Sequence, residues 1–216
     1  MSEVDTVPIR RLVFWPVVLT TLVSLARLYA EVEGMATDQS GGGGVPLGIS
    51  WLPPVFGAWF GFVMARRGER PKLRLAGLWF LGAFAVPVGT LLLLAWGKDF
   101  ADASEAGQQA VRSIVTTTAI VAVIVAVVAL RIWPRLGLAL LVYGLCARVF
   151  VLILTFVAKV AGWSTHYTKL GPAGFEVDLA HTMLATGVAQ LGLWVPYTIL
   201  AGGFFGGLAA AMVSRR

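Results

Sequence analysis

Charge is scarce in this chain. Asp, Glu, Lys and Arg make up 13% of its 216 residues, about half the share of a soluble domain. That scarcity excludes an ordinary cytosolic domain, a disordered chain and a nucleic-acid-binding module. Cysteine is scarcer still. The single Cys146 lies inside an apolar run, so neither an intrachain disulfide nor a cysteine-held metal cluster is possible, and a small buried hydrophobe is expected. The two histidines, His166 and His181, leave no His-Glu-x-x-His pair. No Gly-x-Ser-x-Gly elbow is present, and Gly41-Gly42-Gly43-Gly44 lacks the Gly-Lys-Ser/Thr ending of a phosphate loop. The glycine run is read as a flexible outer loop.

What the chain has instead is apolar length. The apolar set supplies 58% of the residues and mean hydropathy is +0.82. Six segments, at 12–30, 45–65, 75–96, 113–130, 136–158 and 188–213, approach or exceed the roughly 20 residues that cross a bilayer as helix. The first follows Arg10-Arg11 but has no small-x-small cleavage site, so it is read as a retained span rather than a leader. The expected fold is an all-α integral membrane protein, a single six-helix bundle over residues 1–216. Its outer loop, 159–187, is expected to carry a short interfacial helix at 175–187.

The connecting segments sort by charge. The N-terminal tail, the segment 66–74, the turn 131–135 and the C-terminal Arg pair hold eleven Lys/Arg and three acids. The segments 31–46, 97–112 and 159–187 hold four Lys/Arg and eight acids. Positive charge collects on the cytoplasmic side. That accounts for the net charge of +6 and predicts a multi-pass protein of a cell membrane, prokaryotic inner membrane by type, with both termini cytoplasmic.

Small residues mark expected packing faces. Gly57/Gly61 lie in the second segment, and Gly202/Gly206 and Gly203/Gly207 in the last; glycines four apart let helix backbones approach closely in lipid. Ala119, Ala122, Ala126 and Ala129 line one face of the fourth. These faces serve the bundle itself, a homo-oligomer or a partner membrane subunit. Ala26-Arg27-Leu28-Tyr29 resembles Ala147-Arg148-Val149-Phe150, and Leu47 to Pro53 resembles Leu191 to Pro196. These matches suggest a weak parallel repeat of helices 1–2 and 5–6.

Arg148 is the leading candidate for chemistry. It lies thirteen residues beyond Arg135, about 20 Å into the bilayer at 1.5 Å per residue. A guanidinium at that depth requires a partner or a cavity. No span interior holds Asp or Glu, which leaves backbone carbonyls, an outer-loop acid, water or an anionic ligand. Tyr143 and Thr155 in the same span, and Arg27 near the outer edge, where an arginine can snorkel to water, complete the candidate ligand-binding set. A weaker alternative is a metal held by His166, Asp178 and His181.

The leading functional reading is a non-enzymatic, transporter-like protein that binds or moves a small anionic or amphipathic molecule or a lipid. Its expected partners are membrane lipid and that ligand, with no cofactor and no nucleic acid. An accessory or scaffold subunit of a larger membrane complex is the alternative. A membrane enzyme using the outer-loop histidines is the second.

Overall fold

The computed structural model describes residues 7–38, 48–73, 75–100, 104–169 and 178–213; the four-glycine run lies outside them. Every regular element among the described residues is helical: α1 (Ile9–Val32), α2 (Leu52–Arg66), α3 (Ala76–Ala95), α4 (Glu105–Ala129), α5 (Pro134–Val160), α6 (Leu179–Gly187) and α7 (Val195–Val213). A π-helical stretch, Val188–Trp194, joins α6 to α7. Five helical runs are long and apolar enough to cross a membrane: Ile9–Val32, Ala76–Ala95, Glu105–Ala129, Pro134–Val160 and the fused run Leu179–Val213. The fold is that of a helical membrane protein.

Local chemistry sets the helix ends, and it explains where they depart from the expected spans. α4 begins at Glu105, eight residues before the apolar run. Ser104 accepts a hydrogen bond from the Gly107 amide at 3.1 Å, and Glu105 sits in the first turn, where the helix dipole favours an acid. α2 covers only 15 residues, about 22 Å of rise, and is shorter than the expected span at 45–65. Pro53 and Pro54 fit the first helical turn but not an interior, so the helix starts with them. Residues 48–51 are therefore non-helical backbone. The Ser50 carbonyl there accepts a 2.9 Å hydrogen bond from the Tyr197 hydroxyl, which meets the demand that such backbone be satisfied by protein.

The last span also differs. A helix does form within the expected 175–187, at Leu179–Gly187, and it continues through the π stretch into α7; residues 175–177 lie outside the described set. Nothing breaks the run, because Gly187 itself adopts right-handed helical backbone. The fused run of 35 residues would extend about 52 Å, more than the roughly 40–45 Å of a whole bilayer. Asp178 starts it by accepting from the His181 amide at 2.8 Å.

The core forms where α2, α5 and α7 meet. Phe60, Leu136, Leu140, Tyr143 and Leu200 are fully enclosed there, with Phe80 of α3. α2 and α7 run side by side in the same direction with backbones touching: a Cβ on Gly57 would collide with Gly202, and one on Gly61 with Gly206. Gly207 meets Ala76 and Gly77 of α3 just as closely. Ala119, Ala122, Ala126 and Ala129 are all buried, and Ala119 lies against Gly192 of the π stretch. α3 buries only Ala76, Gly77, Phe80 and Pro87 and leaves its leucines outward, as a helix bathed in lipid does. Cys146 is exposed on the outer surface of α5, not buried as expected, since it falls off the stripe that Tyr143, Gly144, Ala147 and Arg148 turn inward.

Side-chain contacts tie the connecting segments into two groups at opposite ends of the bundle. At one end Arg135 donates to the Val7 carbonyl at 2.6 Å, its Nε lies 2.7 Å from Glu69 Oε2 without hydrogen-bond alignment, and the Lys72 amide bonds the Ile132 carbonyl at 3.2 Å. At the other, Asp38 receives Ser164 at 3.0 Å and Lys169 at 2.5 Å, and Glu31 holds His166. The contacts thus join 66–74 with 131–135 at one end, and 31–46 with 159–187 at the other.

Candidate functional site

α5 turns one stripe inward, including Leu136, Leu140, Tyr143, Ala147, Val151, Leu154 and Ala158, the three- and four-residue spacing of a core-facing helix. Arg148 lies on that stripe and is 4% exposed. Its Nη1 donates to Gln190 Oε1 at 3.3 Å, a long contact to a neutral group. Its guanidinium carbon stands 4.7 Å from the centre of the Trp194 ring, within cation–π range. Its Nε is buried and has no hydrogen-bond partner among the described residues. Among the described residues no carboxylate pairs with it.

Both partners come from the π stretch. A π turn widens the helix and shifts its side-chain register, and such turns gather at functional sites. Here the stretch presents Gln190 and Trp194 to the same guanidinium. Neither residue carries a charge, so neither marks a buried site in the sequence. Gln190 was legible only as a polar side chain two residues inside the last apolar segment. The partners expected for Arg148 were backbone carbonyls, an outer-loop acid, water or an anion. Among the described residues the structure supplies an amide and an indole face.

The other candidates are engaged elsewhere. The Thr20 hydroxyl donates to the Pro16 carbonyl at 2.8 Å, so the Tyr143 hydroxyl, 2.9 Å away, donates to Thr20. The Tyr143 ring packs edge-on against Phe56 and Phe60. Thr155 donates to its own helix, to the Val151 carbonyl at 3.0 Å, as hydroxyls in apolar helices do. Arg27 does not snorkel. It is 5% exposed and its Nε lies 2.7 Å from Glu31 Oε1, one turn along α1.

Glu31, unremarked in the sequence beyond its charge, is the hub of a second polar cluster. Its side chain is fully enclosed. Besides Arg27 it accepts from the His166 amide at 2.9 Å and meets His166 Nδ1 at 2.7 Å. The Tyr167 ring packs on Leu28, Val151 and Leu154, and burial lifts its hydroxyl to about 12. These contacts pin the segment 163–168 onto α1.

The three proposed metal ligands are not brought together. His166 is held by Glu31, whereas His181 Nδ1 lies 2.7 Å from Asp178 Oδ2 within the α6 cap. The bonds that Asp178 receives from His181 hold its carboxyl below the ordinary range. Among the described residues no group of three His, Cys, Asp or Glu side chains could hold a metal ion. No family model, curated protein or solved structure matches the chain.

Proposed function

We propose that this protein binds, and in a transporter-like manner moves, a small anionic or amphipathic molecule or lipid at Arg148. One observation carries the reading: a buried guanidinium midway along an apolar helix that, among the described residues, has an unpartnered Nε donor, a neutral amide at 3.3 Å and no carboxylate partner. A charge in that environment is costly unless compensated, and a structural arginine would be expected to have an acid beside it, as Arg27 has. An anion supplies the missing charge and the missing acceptor.

The same reading places the chain in a cell membrane of the prokaryotic inner type, as a bundle crossing six times with both termini cytoplasmic. The charge bias of eleven to four supports that orientation. The shared direction of α2 and α7 and their paired glycines favour the parallel repeat of helices 1–2 and 5–6.

The test is thermal melting of wild type and Arg148→Leu in detergent, with and without phosphatidylglycerol. Lipid should raise the wild-type midpoint by mass action and leave that of the variant unchanged. An equal response in both proteins, with a large drop in the variant's own midpoint, would make Arg148 a structural residue.

A further inference from the structure

The guanidinium of Arg148 has one edge in use and one edge free. Among the described residues Nη1 alone has a hydrogen-bond partner, Gln190. In an arginine the Nε–H and the distal Nη group point the same way, a planar fork that takes two oxygens of one acid group side by side. Among the described residues that fork has no partner, and its Nε is itself buried.

The surroundings extend the site beyond a point charge. Trp194 covers the guanidinium face at 4.7 Å. Its ring centre is 5.4 Å from that of Tyr197, and Tyr197 is 5.8 Å from Phe84 of α3. Gln190, Trp194, Tyr197 and Phe84 are each half-buried, so the charge lies one side chain deep. An aromatic strip leads from it across α7 to α3. The charge count is equally specific. With no carboxylate beside it among the described residues, Arg148 brings a single positive charge. A singly charged acid neutralises it, whereas a doubly charged one leaves a net negative charge in a poorly solvating interior.

We propose, resting on the reading above, that Arg148 takes a singly charged amphiphile and rejects a dianion. The two oxygens of the acid lie on the free edge of the guanidinium, and the apolar tail lies along Trp194, Tyr197 and Phe84. A free monocarboxylate and the phosphodiester of a lipid headgroup share this chemistry.

The experiment measures saturable binding of radiolabelled decanoate to the full chain in phosphatidylcholine nanodiscs. It is run near pH 8.5, where a phosphomonoester carries about two charges. Decanoate should bind wild type, and Arg148→Leu and Arg148→Lys should each bind at least about tenfold more weakly, since an ammonium lacks the fork. Decyl phosphate should displace decanoate about tenfold less well than unlabelled decanoate does, because its second charge stays uncompensated. Decanol should not displace it. Phe84→Ala should weaken decanoate binding severalfold by removing the far end of the strip. Displacement by phosphatidylglycerol built into the disc assigns the site to the lipid headgroup, and its failure assigns the site to the free acid.

Decyl phosphate displacing as well as decanoate, with Arg148 still required, would overturn the single-charge inference and leave the anion reading standing. Full binding to Arg148→Lys would overturn the fork, and full binding to Phe84→Ala the tail path. Undiminished binding to Arg148→Leu would overturn the anion reading itself.

Discussion

Gly61→Ala and Gly82→Ala add the same methyl group to two apolar helices, and the structure gives them opposite signs. At Gly61 the new Cβ falls onto the backbone of Gly206, on the carbonyl side. Backbone cannot swing aside as a side-chain tip can, so α2 must lift from α7. The same movement opens the Gly57 contact with Gly202 one turn away. Overpacking of this kind costs about 1–3 kcal/mol, and more where the neighbour is rigid. At Gly82 on α3 nothing lies within 4 Å of the added carbon. Replacing glycine by alanine in a helix interior gains about 0.5–1 kcal/mol there. The two variants should therefore differ by about 2–4 kcal/mol in unfolding free energy, the first below wild type and the second at or above it. The assay is loss of helical circular dichroism as dodecyl sulfate is titrated into the protein in mild detergent. Two variants displaced in the same direction by the same amount would refute the backbone contact between α2 and α7.

His166→Ala should lower the melting midpoint by the equivalent of about 1–3 kcal/mol, because it strips a partner from an enclosed carboxylate; an unchanged midpoint would mean that Glu31 does not hold the segment 163–168. Burial pushes the Glu69 carboxyl above its ordinary 4.5, with Arg135 and Arg67 pulling the other way, so the folded state favours its neutral form. Its contribution to stability is full below the ordinary value and falls as pH rises through the folded one. The advantage of wild type over Glu69→Gln should accordingly shrink between about pH 4 and about pH 7, and an advantage that grows over that range in pH-scanned melting would reverse the sign. In a chain carrying Cys146→Ala, Lys169→Cys should react with an impermeant maleimide on intact cells and Lys72→Cys should not; the opposite pattern would invert the orientation.

Helix placement was legible in outline because bilayer-length apolar runs are a strong signal that needs no tertiary information; five of the six expected spans are membrane-length helical runs, and the sixth, at 45–65, holds only the 15-residue α2. The glycine stripes were legible as stripes, although their four-residue spacing does not say which helix they meet. The structure pairs Gly57 with Gly202 and Gly61 with Gly206. Boundaries moved where capping outweighed hydropathy, at Ser104 and at Pro53-Pro54, and where the helix at 179–187 runs on into the last span. Arg148 stood out because a charge among apolar residues is conspicuous. Gln190 and Trp194 did not: an amide and an indole are unexceptional in a membrane span, and only the π register aims both at one guanidinium. The Arg27–Glu31 pair was within reach, four residues apart on one helix, but Glu31 had been grouped with the outer segment. His166 meets Glu31 across 135 residues of chain, a contact that no local pattern encodes.

If Arg148 binds an anion, its Nε proton, unpartnered among the described residues, reports the event. In protein labelled with 15N arginine, the Nε–H resonance of Arg148 is assigned by its loss in Arg148→Lys. It is then followed as phosphatidylglycerol or decanoate is added to phosphatidylcholine nanodiscs. A saturable downfield shift of that resonance, with the Arg27 resonance fixed by its bond to Glu31, is the predicted result. A resonance already at a hydrogen-bonded position in phosphatidylcholine alone, and unmoved by either anion, would contradict it.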